Sequence, residues 1–331
     1  MTALPGQAVA PRGRFKHVMA LALNPQTHFQ DGLIRCITSR EGSVDVSGFV
    51  DHSELHLVAR SGAHKYEIGE RVVIENEDQM VRQMLPDGFE FLGLEDPDLT
   101  LDEDELLHLY CTIPLINRST GESRIYLGHA EGPDLAHMCM TEPVLMHPDE
   151  TAKEVSLMPV STDGIYRHLI ESSAPGTDFS AYSTVRVAKA AGFGPSWEFG
   201  DTILHPATAG IHWAGGHASP GPILPRSFID VGEGKVILFL NGRERDRVEN
   251  EQVVFGMFSL GLALYDYEHG EICWISPLPL IEDAEATSIT FASQFVETAE
   301  GEGILYAHID DSFVRAYRVS ADALRALLPK S

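Results

Sequence analysis

The chain has 331 residues, 44% of them hydrophobic and 22% charged, enough to bury a substantial core and ordinary for a globular protein. Its 24 Lys and Arg against 49 Asp and Glu leave a formal charge of −25. A surface of that sign repels phosphate backbones and anionic lipid, so neither nucleic acid nor a membrane is expected as a partner.

No stretch reaches the length that a membrane span needs. The apolar run Val18 to Leu23 is short for a secretory signal and is closed by Asn24-Pro25. Cys36, Cys111, Cys139 and Cys273 form no CxxC pair and have no metal-ligand spacing; they read as buried, reduced thiols. Together these features predict a cytoplasmic protein.

Residues 1–16 are expected to form an extended N-terminal arm. Beyond it, helical periodicity is nearly absent until the C-terminus. What recurs is a short β-rich run, a polar turn and a second β-rich run, the pattern of a hairpin. Such runs are predicted at Glu54 to Ser61, at Leu106 to Ile113 with Arg124 to His129, and at Ile165 to Ser172 with Tyr182 to Ala188. Val236 to Asn241 with Gly256 to Tyr265, and Gly303 to Ile309 with Phe313 to Val319, complete the series. The acidic run Asp102 to Glu105 lacks the alternating ligands and central glycine of a calcium loop and reads as a solvated hairpin tip. Ser320, as an N-cap before Ala321 to Leu328, predicts a short terminal helix stopped by Pro329. The runs recur at intervals of roughly fifty to seventy residues, in the range that suggests propeller blades. With no linker-like stretch, the expectation is one all-β domain over 1–331, a five-bladed β-propeller with a short C-terminal helix.

In such a fold the innermost strands converge on an axial depression, so residues distant in sequence can meet there. Glu95-Asp96-Pro97 places two carboxylates just before the apolar run at Leu106. The proline is expected to hold Asp96 extended. A carboxyl group in a partly dry sugar pocket can keep its proton and give it to a departing glycosidic oxygen. His205, His212 and His217 alternate with glycines, without fixed spacing or a paired carboxylate, so no metal is expected there. Their loop reads instead as a pocket rim on which Trp213 stacks against a sugar face. There is no dinucleotide fingerprint, Walker loop or nucleophile elbow, and no cofactor is expected.

Gly93-Leu94-Glu95-Asp96-Pro97-Asp98-Leu99-Thr100 resembles the Gly-Val-Glu-Asp-Pro-Arg-Ile-Thr segment of glycoside hydrolase family 130, the β-mannoside phosphorylases and β-mannosidases. The resemblance extends in order along the chain. It takes in Asn24-Pro25 with Arg40, Arg124 to Ala130, Lys153-Glu154 with Leu157-Met158-Pro159, and Gly221-Pro222-Ile223. It continues through Gly261 to Asp266, Ser276 to Ile281, Leu305-Tyr306 and Asp311-Ser312. It implies a glycoside as substrate, a small oligosaccharide among the expected ligands, and cleavage by water or by inorganic phosphate as co-substrate. It makes Asp96 the general acid, gives Arg124 and Lys153 to phosphate, and places Asp311 on sugar hydroxyls with Arg40 organising the pocket. Glu95, Trp213, His217 and Asn241 complete the expected sugar-binding set, and Glu154, beside Lys153, is the candidate base for an attacking water.

Two departures weaken the phosphorylase half of this expectation. Asp98 stands where the family usually has arginine, and Asn241 where a histidine is common. The competing readings are a sugar-binding propeller without turnover and a furanosidase-like propeller. The latter needs an aspartate on the first inner strand, where Asn24-Pro25 offers none. Homo-oligomerisation stays open.

Overall fold

The computed structural model describes residues 1–46, 48–174, 182–281 and 283–329. The chain is mostly β, in several sheets built from four-stranded antiparallel meanders. A short first strand, β1 (Thr2–Ala3), belongs to the last meander. The first meander is β2 (Val18–Leu23), β3 (Asp31–Glu41), β4 (Val50–Arg60) and β5 (Tyr66–Arg71). The second is β6 (Glu95–Leu101), β7 (Leu107–Ile116), β8 (Ser123–Gly132) and β9 (Met138–Met140). The third, β10 (Lys153–Ser156), β11 (Tyr166–Ala174), β12 (Tyr182–Ala190) and β13 (Glu198–Leu204), is continuous with the fourth through the parallel pair Ser183 and His217. The fourth is β14 (His217–Leu224), β15 (Lys235–Arg243), β16 (Phe258–Asp266) and β17 (Glu271–Ile275). The fifth, β18 (Thr290–Ala299), β19 (Glu302–Ile309) and β20 (Phe313–Ser320), takes its fourth strand from β1. The N-terminal arm therefore lies along β20, with Ala8 and Val9 also bonded to Val314.

Every run predicted from the sequence falls on a second or third strand. Those strands are apolar on both faces because sheets pack on both sides of them: β7 is buried almost end to end. The first strands at Glu95–Leu101 and Lys153–Ser156 went unread because they are charged or interrupted by proline, as in Glu-Asp-Pro-Asp-Leu-Thr-Leu and Lys-Glu-Val-Ser. Asp96 thus lies on a first strand, not before one. These first strands pack side by side in the order β2, β6, β10, β14 and β18, and β18 packs back on β2. Polar side chains tie neighbours together: Ser156 Oγ donates to the Gly221 carbonyl at 2.5 Å, and Leu23 N donates to Gln294 Oε1 at 2.8 Å.

Each first strand breaks register against its partner at a comparable place. The irregularities lie at Ala20, Asp96-Pro97, Glu154, Gly221-Pro222 and Ser293. Such bulges re-aim side chains and are frequent beside active sites. Three of the bulged residues are non-glycine with positive φ: Ala20 at 50°, Asp96 at 46° and Glu154 at 50°. Asp96 is therefore left-handed, not extended, because the bulge overrides the local preference that Pro97 imposes.

Helix α1 (Glu77–Met84) links the first two meanders, and α2 (Pro206–Ala209) precedes β14. The terminal helix α3 (Ala321–Arg325) is shorter than predicted, and Ser320 makes no side-chain cap bond. Among the described residues no helix is long and apolar enough to cross a membrane. Cys36 and Cys111 are buried free thiols, but Cys139 is half-buried and Cys273, on the edge strand β17, is exposed. An edge strand has no further sheet to cover it.

Candidate active site

The first strands and the turns beyond them line a cavity of about 690 Å³, a volume in the range of small-molecule sites. Asp51, Glu95, Asp96, Glu154, Glu171, Asp246 and Asp311 give it seven acids, against the bases Arg35, Lys153 and Arg243. A smaller cavity of about 270 Å³ lies on the other side of the bulges, and Asp96 and Glu154 line both. The two residues stand at the partition.

Arg35 organises one wall. Its guanidinium donates to Asp96 Oδ1 at 2.9 Å, to Glu95 Oε1 at 2.5 Å and to Ser53 Oγ at 2.9 Å. Gly93, at φ 97°, lets the chain pass so close to the Ser53 carbonyl that a Cβ would sit 1.9 Å from its oxygen. Burial pushes Glu95 up to about 7 against the pull of Arg35, and the charge of Asp96 adds to the push. Glu154 is also raised well above the usual carboxylate value, by burial first and then by Asp96, with Lys153 opposing. Among the described residues Glu154 joins no ion pair, so nothing directly compensates its charge.

The opposite wall holds Glu171 between two partners, Lys153 Nζ at 3.2 Å and His217 Nε2 at 3.1 Å. Burial would raise Glu171, but His217 and Lys153 outweigh it and hold the carboxyl well below the usual range. Lys153 is raised in turn: burial opposes, and Glu171, Asp96 and Glu154 prevail. Burial lowers His217 itself. Glu171 thus forms its ion pair with Lys153 and meets the His217 ring beside it. Arg243 pairs with Asp246 at 2.9 Å and lies over the Phe255 ring at 4.2 Å. Asp311 meets His308 Nε2 at 3.2 Å, and the His308 ring stacks on Phe291 at 5.0 Å. A hairpin, Arg247–Glu249 with Gln252–Val254, reaches over to the first meander, where Val254 pairs with Val46 and Phe255 N donates to the Asp45 carbonyl.

The structure thus gathers Glu95, Asp96, Lys153, Glu154, His217 and Asp311 from the sequence-predicted set around one cavity. It places the others elsewhere. Arg124 lies outside the cavity, paired with Glu122 and over the Phe89 ring; on β8 only its neighbours Ser123 and Ile125 point inward. Trp213 is 4% exposed and packed in the core, its indole donating to the Ser276 carbonyl. Gly242 and Gly261 make room for it, since a Cβ at either would come within 2.5 Å of the ring. It offers no free face to a sugar. Asn241 is fully buried and bonds both backbone groups of Ala292, which locks β15 to β18. Arg40 is held by a two-point ion pair to Asp51, at 2.7 Å on both bonds, and only Asp51 reaches the cavity.

His205, His212 and His217 do not converge. His205 caps α2 through Ala207 N, and His212 is exposed beside Glu244. Asp98 turns to the smaller cavity, where burial raises it to about 7. Arg35 and Glu171 were missed because each sits in a run of a second strand flanked by apolar residues, and Arg243 because it ends a second strand at a charged turn. Arg35 lies in Gly-Leu-Ile-Arg-Cys-Ile, where alternation gives no sign of a charged residue facing a pocket.

No family profile matches the chain, and no curated protein matches it in sequence. Its fold does match solved structures. A candidate glycosidase from Bacteroides thetaiotaomicron aligns with a TM-score of 0.68 at 16% identity, covering 96% of each chain. A mannose phosphorylase from Leishmania mexicana, solved with phosphate ion, aligns at 0.57 and 13%, covering 96% of this chain and 88% of its own. A GDP-Man-dependent mannosyltransferase from the same organism aligns at 0.54 and 13%, covering 96% and 90%. The chain therefore has the fold of carbohydrate-active enzymes, one that serves hydrolysis, phosphorolysis and glycosyl transfer alike.

Proposed function

We propose that this chain is a single-domain five-bladed β-propeller, a divergent relative of glycoside hydrolase family 130, that hydrolyses a glycosidic bond. Support for the propeller comes from five first strands that pack in sequence with β18 returning to β2, and from β1 completing the fifth meander. The observation that carries the chemistry is the pairing of Asp96 and Glu154 at the partition of the cavity. One carboxyl group is ion-paired through Oδ1 to Arg35, and the other is buried with a raised proton affinity. Two carboxyl groups made unequal by their surroundings are what acid–base cleavage of a glycoside requires.

In this reading Glu154 holds the resting proton and gives it to the leaving oxygen. Asp96, ion-paired to Arg35 through Oδ1, takes a proton at Oδ2 from the water that attacks the anomeric carbon from the opposite face. One proton leaves Glu154 and one arrives on Asp96, so the pair as a unit is unchanged in charge. These roles reverse the expectation from sequence, for a physical reason: the guanidinium stands beside Asp96 and not beside Glu154.

Water is favoured over phosphate because the cavity has no uncommitted cation among the described residues. Arg35 serves Glu95 and Asp96, Lys153 serves Glu171, and Arg243 serves Asp246. A dianion would have to displace carboxylates in a cavity that already holds seven acids. Furanosidase-type chemistry lacks its acid, since the first strand of the first meander has Ala20 at the bulge.

Aryl glycosides with strong and weak leaving groups separate the two roles. E154Q should keep turnover on a strongly activated leaving group, which needs no protonation, and lose it on an alkyl glycoside. D96N should lose both. The opposite pattern would return the acid role to Asp96.

A further inference from the structure

At the far end of the second meander, about 13 Å along β7 from Thr112 (the partner of Glu95), lies a cluster that the cavity does not use. His108 on β7 faces Glu131 directly across the β7–β8 pairing, and His129 lies diagonally from it. His108 Nδ1 is 3.0 Å from His129 Nε2 and 3.7 Å from Glu131 Oε2, and one donor atom from each of the three residues lies within 4.8 Å of the others. Both rings are buried, whereas Glu131 is about two-fifths exposed.

The outer ring nitrogens are already engaged. His108 Nε2 meets Asp102 Oδ2 at 3.2 Å, and a carboxylate only accepts, so the proton is on Nε2 and Nδ1 presents a lone pair to the cluster. His129 Nδ1 meets Thr141 Oγ1 at 2.7 Å, and that hydroxyl can donate onward to the Glu142 carbonyl at 3.0 Å. With its proton on Nδ1, His129 donates to Thr141 and turns the lone pair of Nε2 inward. Carboxylate and hydroxyl partners behind metal-binding histidines fix their tautomers in this way.

We propose that His108, His129 and Glu131 form a binding site for a zinc-type divalent metal ion, with Asp102 and Thr141 as positioning residues. Two imidazoles and one carboxylate form a common zinc donor set that leaves a fourth position for water. Binding requires only that the His129 proton shift from Nε2 to Nδ1 and that the ring nitrogens open slightly beyond hydrogen-bond separation. The ion would enter past the exposed Glu131, and it would staple the Asp102 turn to β7 and β8. No sequence spacing announces this site, because strand pairing creates it from residues 21 apart.

The test uses the full-length protein stripped with chelator, dialysed and titrated with Zn²⁺ by calorimetry, then with Co²⁺ by visible absorption. One equivalent should bind and give the intense bands of tetrahedral cobalt. E131Q and H129A should abolish the bands, and D102N should weaken binding about 10–100-fold. Carboxylates scattered over an acidic surface hold cobalt octahedrally and give only weak bands, so they do not mimic the result. Glu131 is exposed enough for E131Q to fold even where H129A does not. Absence of tetrahedral bands in the parent protein, or bands that persist in E131Q, would overturn the proposal.

Discussion

Asp96 and Glu154 occupy equivalent positions on consecutive first strands: each is the bulged residue of its strand, with φ of 46° and 50°, and each lines the cavities on both sides of the bulge. Non-glycine residues held in left-handed backbone cost of order 1–3 kcal/mol and persist where surrounding structure enforces them, often at functional sites. Here the enforcing structure is the run of first strands, which re-aims two carboxyl groups into shared space.

That arrangement predicts a pH signature in stability. Glu154 binds its proton more tightly in the folded chain than in the unfolded one, where its value is near 4.5. Its contribution is therefore complete below that value, and stability falls as pH rises above it. E154Q should flatten the decline, raising the urea midpoint relative to the parent at about pH 8 more than at about pH 5. Glu171 acts in the opposite sense, with stability lost as pH falls below its unfolded value. Equal midpoint differences at both pH values would remove the claim that Glu154 is protonated in the resting protein.

Arg35 should be a structural keystone as well as a pocket residue. Removing it leaves Glu95 and Asp96 buried without their guanidinium, and breaking a buried ion pair typically costs about 3–5 kcal/mol. R35A should show that loss in chemical denaturation and be inactive. R124A, at the surface, should match the parent in both stability and turnover, and a defect in R124A would return that residue to the site.

The aromatic residues should divide in the same way. W213A opens a cavity between β15 and β16 and should cost about 3–5 kcal/mol. F291A, on the cavity wall beside His308, should raise KM. Should W213A raise KM at unchanged stability, the sugar-stacking role expected from sequence would be restored.

Most of the sheet framework was legible because second and third strands obey the ordinary rule, apolar runs bounded by polar turns. The first strands were not. Lys153–Ser156 and Glu95–Leu101 spend their positions on a polar cavity, so hydrophobic periodicity is absent where the site is built. Asp96 and Glu154 were visible as unusual carboxylates. The ion pair that holds Asp96 was not, because the place of Arg35 beside it is fixed by pairing β3 with β4 and packing β6 against them. Arg40 and Trp213 misled for one reason: residue type announces an ion pair or an aromatic face, but only the fold decides whether it meets solvent or core.

Product analysis decides whether a carboxylate pair, in a cavity with no uncommitted cation among the described residues, hydrolyses a glycoside. A panel of manno-oligosaccharides and related glycosides is incubated with and without inorganic phosphate, and free sugar and sugar 1-phosphate are both quantified. Free reducing sugar should form at a rate independent of phosphate, be abolished in D96N, and be accompanied by no sugar 1-phosphate. Phosphate-dependent release of sugar 1-phosphate, or turnover that survives D96N, would contradict hydrolysis by this pair.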